Sequence, residues 1–353
     1  VMTLWKDRSF LYGYYSESCS ELYFGYHDDS SIYLQYELPD YYEKIEVSKE
    51  YIGRKRVPLD GKHTFTAMDG RKMIITIVEV IGSGTGSIAY LAEIDGKQCV
   101  LKQLYPQRLN DEYLLDGSSN GLVVRKSLRA KYMWHKRKKE FVCSANLQMR
   151  LCQVPCLSSY IPSLTGILSS GDTLCTLTDT FDGYSWDQQK NYTIEQVLQI
   201  IIELTKLVQY IHVQGYLVVD IKASNFTVSC NAEGDIAVKL IDFDGLKKLH
   251  SKGKFKYSSE TCPKEYKSHD YSQIGKWSDV YCIVALFADC VFGHHKLKRM
   301  GHNFDKLCKS CYAAWVKMHH DSIRTLLVRG LHDGYSKRIQ TCQELLEYLY
   351  ILL

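Results

Sequence analysis

Apolar and polar residues follow two periods along this chain, and the change of period divides it. Early on the period is two: the tyrosine-rich runs 21–26 and 31–36 flank the turn-formers His27-Asp-Asp-Ser30, the pattern of a β-hairpin. A second hairpin is predicted where His63–Ala67 and Lys72–Val80 flank Asp69-Gly70, a dipeptide favoured in tight two-residue turns. After Ile81 the pattern reads strand, glycine loop, strand up to Leu104. A linker through Asp116-Gly-Ser-Ser-Asn-Gly121 follows, then a charged helix from about Val124 to Leu151, then strands from Gly166 to Phe181. From Thr193 the helical period takes over, because Ile194, Val197, Leu198, Ile201, Leu204, Leu207, Val208 and Ile211 draw one apolar face. A short β segment (226–228 and 238–241) precedes further helices at Ser278–Phe292 and near the end. A β-rich half followed by a helix-rich half predicts an α+β, two-lobed fold.

Composition changes this picture little. Hydrophobic residues make up 45% of the 353 and charged residues 24%, which is globular and neither disordered nor membranous. The net charge of +4 does not ask for a nucleic acid partner. The longest apolar stretch, Val280–Gly293, is too short to span a bilayer and is broken by Asp289, so no membrane insertion is expected. The 13 cysteines are odd in number and scattered, which fits reduced thiols in a cytoplasmic protein. Cys308 and Cys311, with His302, His319 and His320 nearby, suggest a zinc site, but a single CxxC is more often plain packing. Eight basic residues between Arg125 and Lys139 would make one helix strongly positive. A solvated face is the plainer reading of that run, and a docking patch for an acidic partner the sharper one.

Candidate chemistry is concentrated in four places. Gly82, Gly84 and Gly86, with Ser83 and Thr85 between them, join two strands; missing side chains there let backbone amides approach a triphosphate, although structural glycine turns are also common. One hairpin later, Lys102 ends an apolar strand, where its charge needs an anionic partner. Glu140 is the single acidic residue between Gly117 and Gly171 and is the natural ion-pair candidate, against the bland reading of a surface residue among lysines. In Tyr216-Leu-Val-Val-Asp-Ile-Lys-Ala-Ser-Asn-Phe226, Asp220 suits orienting a hydroxyl and accepting its proton, Lys222 suits neutralising a transferring phosphoryl group, and Asn225 suits a metal. The strand Val238–Ile241 ends in Asp242, a hard oxygen ligand fit for magnesium.

From about Val78 to Leu353 these segments together resemble the eukaryotic-type protein kinase superfamily, serine/threonine type. Gly82-Ser-Gly84 resembles the glycine-rich loop, Lys102 the third-strand lysine, and Asp220 with Lys222 and Asn225 the catalytic loop. Asp242 resembles the metal-binding aspartate. Asp279, in Trp277-Ser-Asp-Val-Tyr281, resembles the residue that caps the catalytic-loop backbone, and Arg338 the arginine that pairs with the end of the activation segment, where Glu265 stands. The resemblance implies a gatekeeper near Thr178, an adenine-binding hinge from Asp179 through Phe181 to Gly183, the cofactors ATP and Mg2+ (or Mn2+), and a protein substrate. It implies a division into residues 1–76 as a β-rich extension, 77–183 as the N-lobe and 184–353 as the C-lobe.

The sequence departs from the family pattern in four ways: Ser87 replaces the third loop glycine, Val218-Val219 precedes Asp220 in place of His-Arg, Asp242-Phe-Asp244 replaces Asp-Phe-Gly, and Thr261-Cys-Pro-Lys-Glu265 closes the activation segment. Without the arginine, ordinary switching by activation-loop phosphorylation is not expected. The groups needed for transfer are all present. An active kinase is therefore the first reading, a nucleotide-binding pseudokinase scaffold the alternative, and a kinase of a non-protein acceptor the third.

Overall fold

The computed structural model describes residues 58–84, 86–105, 113–114, 123–124, 128–171, 173–181, 183–186, 192–251, 262–267, 271–293, 303–311 and 313–353. The tyrosine-rich hairpin expected before residue 57 lies outside them. The chain divides into two compact units, one running to Arg150 and including Pro162–Phe181, the other comprising Leu151–Ile161 and Asp182–Leu353.

In the first unit, β1 (Gly61–Ala67), β2 (Lys72–Ser83), β3 (Ser87–Ile94) and β4 (Lys97–Leu104) form an antiparallel meander. A short ladder, β5 (Tyr113–Leu114) with β6 (Val123–Val124), stands where the sequence suggested only linker and a helix start. Helix α1 (Leu128–Cys152) follows, then β7 (Leu164–Ser170) and β8 (Thr173–Asp179). The strand order β1-β2-β3-β4-β8-β7 closes on itself, because Thr66 and Ala67 of β1 pair with Ser169 and Leu168 of β7. A boundary after residue 76 therefore cuts through the barrel: β1 and the first half of β2 are barrel strands, and the core takes Phe65 and Ile75 at zero exposure. The β1–β2 connection also differs from the two-residue turn expected. Ala67 N–H donates to Arg71 O and Gly70 N–H to Ala67 O, leaving a three-residue loop with Gly70 at φ +84°, a left-handed position that glycine occupies without strain.

The barrel interior is apolar at every second position, with Ile88, Tyr90 and Ala92 of β3 facing Leu101 of β4 and Cys175 and Leu177 of β8. Tyr90 brings a hydroxyl into this core, and it is satisfied: it accepts from Leu59 N–H at 3.1 Å and donates to Gln103 Oε1 at 2.8 Å. Helix α1 lays Trp134, Phe141, Val142 and Ala145 on the same core. Its charge is not simply a solvated face, as the sequence suggested. Lys136 is exposed, but Lys138 and Lys139 are buried, and the Lys138 ammonium sits 5.9 Å over the Trp134 ring, which compensates part of its lost hydration.

The second unit is built on α2 (Ile194–Val213), whose start is fixed by a capping box: Thr193 Oγ1 accepts from Gln196 N–H while Gln196 Oε1 accepts from Thr193 N–H. Ile200, Ile201, Leu204, Leu207 and Val208 are fully buried, so each truncation to alanine there is worth about 2–5 kcal/mol. Around it stand β9 (Tyr184–Ser185), β10 (Tyr216–Leu217), β11 (Phe226–Cys230), β12 (Ile236–Leu240) and β13 (Lys247–Lys248). These make two small antiparallel sheets, β12-β11-β9 and β10-β13. The short α3 (Lys264–Lys267) leads to α4 (Lys276–Phe292), then α5 (Phe304–Lys309), α6 (Ala314–Met318), α7 (His320–Gly330) and α8 (Cys342–Tyr350). Helices α4 and α8 both pack on α2. No helix among the described residues is long and apolar enough to cross a membrane.

Candidate active site

In the barrel unit, the glycine loop runs from the end of β2 to the start of β3, tied by Gly84 N–H to Ser87 O at 3.0 Å and by Tyr105 N–H to Gly86 O at 2.8 Å. Gly82 and Ser83 are the last residues of β2; Thr85 lies outside the described residues. A Cβ at Gly84 would come no nearer than 3.9 Å to Ser87 O, and one at Gly86 would meet nothing within 4 Å. Packing within the protein therefore does not demand glycine at either place, and the space they leave suits close approach of a phosphate to backbone amides.

Lys102 sits near the end of β4, half-buried, between the fully buried Leu101 and Gln103. Strand register places Lys102 directly across from Thr176, and Thr178 across from Val100. Thr178 is buried, with its hydroxyl 3.5 Å from Val100 O; Asp179 ends β8 with its N–H donating to Ser163 O at 3.2 Å, and Phe181 is half-buried. Thr176, which no sequence motif singles out, is thus the β8 residue nearest Lys102 in register. Glu140 is exposed on α1, away from the stripe of Trp134, Phe141 and Ala145 that meets the barrel core. Along that helix His135, Lys138, Lys139 and Phe141 are buried. Burial lowers the pKa of Lys139 to about 8 and that of His135 to about 3.

In the helical unit, β10 delivers the chain to Val218, Val219 and Asp220. Asp220 N–H bonds back to Val218 O at 2.7 Å across Val219, whose φ is +64°. That is a γ-turn with a β-branched residue in the left-handed region, an arrangement costing roughly 1–3 kcal/mol. Asp279 of α4 compensates it: its Oδ2 accepts from Val218 N–H at 2.8 Å and its Oδ1 from Val219 N–H at 2.9 Å, and the carboxylate is fully buried. Charge-assisted bonds to a buried carboxylate are the stronger kind, so two of them suffice to hold the turn.

The turn aims Asp220 at its neighbours. Lys222 Nζ donates to Asp220 Oδ2 at 2.7 Å, and Asn225 Nδ2 donates to the same oxygen at 3.1 Å and to Asp220 O at 2.7 Å. Both bonds of Asn225 use its nitrogen, which leaves its amide oxygen as the atom for a hard cation. Ile241 N–H donates to Asn225 O at 3.0 Å, so the chain leaving β12 runs beside Asn225, with Asp242 the next residue along it. Two oxygen donors, one of them anionic, fit magnesium. Asp242 Oδ1 in turn receives a long bond, 3.4 Å, from Asp244 N–H.

Gly245 is packed tightly, although no motif position asks for it. A Cβ there would lie 2.9 Å from Asp220 Cβ, closer than real contacts allow, and 3.0 Å from Val218 O, tighter than most. The glycine missing at 244 is thus supplied one residue later, against the Asp220 loop. At the end of the activation segment, Glu265 and Arg338 form a bidentate pair, Nη1 to Oε1 at 2.5 Å and Nη2 to Oε2 at 3.1 Å, with both residues buried. Ser278 donates to Glu265, and the Arg338 guanidinium stacks 4.7 Å over Tyr281. The remainder of that segment, 252–261, lies outside the described residues. Among the described residues no group of three or more His, Cys, Asp or Glu side chains stands ready for a metal, at Cys308 and Cys311 or elsewhere.

A family model described as the protein kinase domain matches residues 75–351. No curated protein matches the chain.

Proposed function

Because this chain belongs to the protein kinase family, whose chemistry is phosphate transfer to proteins, we propose that it moves the γ-phosphate of ATP to serine or threonine hydroxyls of a protein substrate. The observation that carries this reading is the Asp220–Lys222–Asn225 cluster on a strained loop clamped by a buried carboxylate. Strain of this kind persists where the surrounding structure over-determines it, commonly at functional sites.

In this reading Asp220 orients the acceptor hydroxyl and takes its proton as that oxygen bonds to the γ-phosphorus and the bond to the ADP oxygen breaks. Lys222, already ion-paired to Asp220, neutralises charge on the group in transit. Asn225, through its amide oxygen, and Asp242 hold the divalent cation, Mg2+ or Mn2+, which supplies charge neutralisation when bound. Amides of the loop Gly82–Gly86 and the Lys102 ammonium hold the phosphates. Backbone groups from Asp179 to Phe181 take the adenine, with Thr178 beside them. Glu140 of α1 is the proposed carboxylate partner of the Lys102 ammonium. Preference for serine and threonine is inferred from Lys222, the residue that such kinases carry at this place.

Regulation by ordinary activation-loop phosphorylation is not part of the proposal, because Val219 stands where a phosphate-binding arginine would be needed. No described cysteine is joined in a disulfide, and the scattered cysteines of the sequence suit the reducing, cytoplasmic setting proposed here. Transfer of labelled phosphate to serine- and threonine-containing proteins, compared with Asp220→Asn, tests the reading; undiminished transfer by that variant would overturn it.

A further inference from the structure

Positive charge is crowded at the wrong end of α1. Its first turn holds no acid and two bases, Arg129 and Lys131, where the helix dipole favours negative groups. Lys136, Arg137, Lys138 and Lys139 follow before Glu140, the first acid of the helix, and the like charges of Lys136 and Lys139 stand three residues apart. Part of this surface is open: Tyr132 is 63% exposed, Lys136 one turn on is exposed, and Arg137 is half-buried. A helix end of this kind is stabilised by an anionic cover.

The charges of the barrel unit narrow down what that cover is. Residues 58–105 hold five acids and five bases, and residues 106–127, which lead into α1, three of each. Residues 162–181 add Asp172 and Asp179 alone. Residues 10–50 differ: nine acids stand against two bases, Lys44 and Lys49, together with nine tyrosines. Carboxylates match the ammonium and guanidinium groups of α1, and tyrosine rings take cations on their faces. Reach allows the contact. Leu59 is buried in the same apolar core as Trp134 and Phe141, and its N–H is fixed on the Tyr90 hydroxyl. The stretch from Glu50 to Leu59 spans at most about 30 Å when extended, and α1 itself is about 37 Å long, so residues 10–50 reach any part of its face.

We propose that residues 10–50 fold back within the same chain and cover the basic first half of α1, from Leu128 to Lys139, as an acidic, tyrosine-rich strap. The proposal rests on charge and reach and is independent of the kinase reading. Without the strap the first turns of α1 lose their counter-charge and open more often. High salt screens the same charges and weakens the contact.

The test is zero-length carbodiimide cross-linking of the full chain, which joins a carboxylate to a lysine only where the two touch, on an equal mixture of unlabelled and 15N-labelled protein. Peptide mass spectrometry then separates links within one chain from links between copies. Expected are single-isotope links from carboxylates in residues 10–50 to lysines of α1, falling at least about fivefold when the reaction is run in about 0.5 M sodium chloride. Amide hydrogen exchange is read in parallel on the wild type and on a variant carrying Asp28→Asn, Asp29→Asn, Glu37→Gln, Asp40→Asn, Glu43→Gln and Glu46→Gln. In that variant residues 128–139 should exchange at least about fivefold faster, while β7 and β8 keep their wild-type rates. Links that join α1 only to a different copy would give the cover to a second chain, and α1 lysines that form no link to residues 10–50 would leave the face to a separate acidic partner; either result overturns the proposal. Links indifferent to salt, or unchanged exchange over 128–139 in the neutralised variant, overturn it as well. Should that variant fail to fold, the wild-type links and their loss in salt decide alone.

Discussion

Residues whose chemistry is carried by side-chain type are legible in the sequence, and residues whose role is carried by backbone are not. Asp220, Lys222, Asn225 and Asp242 declare themselves by being acid, base and amide at fixed spacing, and the fold brings the first three within hydrogen-bonding distance. Val219 gives no such signal. A β-branched residue argues against positive φ, and the clamp that holds it comes from Asp279, sixty positions away. Gly245 is equally silent, since the sequence shows a glycine displaced from a motif but not what presses on it. Replacing it tests that reading. Gly245→Ala places a methyl 2.9 Å from Asp220 Cβ, so Asp220 must shift, and misplacement on that scale slows transfer by about 10- to 100-fold. Turnover measured beside a melting curve checks this; an unchanged rate would mean that the loop yields without moving Asp220.

At the scale of elements, hydrophobic period locates the main helices and strands, while charge misleads. The basic run on α1 reads as a solvated face because sequence shows charge without showing depth, yet Lys138, Lys139 and His135 are buried. His135 makes that burial measurable. Its folded pKa, near 3, lies below the ordinary 6.5, so the unfolded chain takes up a proton that the fold excludes. Stability from this residue is present above pH 6.5 and is lost as pH falls from 6.5 towards 3. Chemical denaturation at a series of pH values should therefore show a shallower acid loss in His135→Leu than in the wild type; parallel curves would place His135 in water.

The junction of α3 with the loop before α8 offers a second element-scale test. Glu265→Gln or Arg338→Met leaves one buried charge without its counter-ion and should cost about 3–5 kcal/mol. The double variant Glu265→Leu with Arg338→Met removes both charges and should cost clearly less than the sum. Additive losses in denaturant titrations would contradict a coupled pair.

For the molecule as a whole, the family is legible because its motifs stand in order over most of the chain, and the match over 75–351 agrees with that order. The start of the barrel is not legible. Gly61–Ala67 is a strand of the same period as any surface hairpin, and only its pairing with β7, a hundred residues later, makes it part of the barrel. Removing residues 61–70 should accordingly unfold the barrel unit rather than trim an appendage. The account's central claim is that Asp220 and Asp242 serve phosphate transfer. The most direct test is incorporation of labelled γ-phosphate from ATP, with magnesium or manganese, into the protein itself and into a generic basic protein substrate, beside Asp220→Asn and Asp242→Asn. Incorporation by the wild type that falls at least about a thousandfold in both variants, with their folds intact, is the expected result. Incorporation that survives either substitution, or a folded wild type that binds ATP and transfers nothing to any protein acceptor, would contradict it.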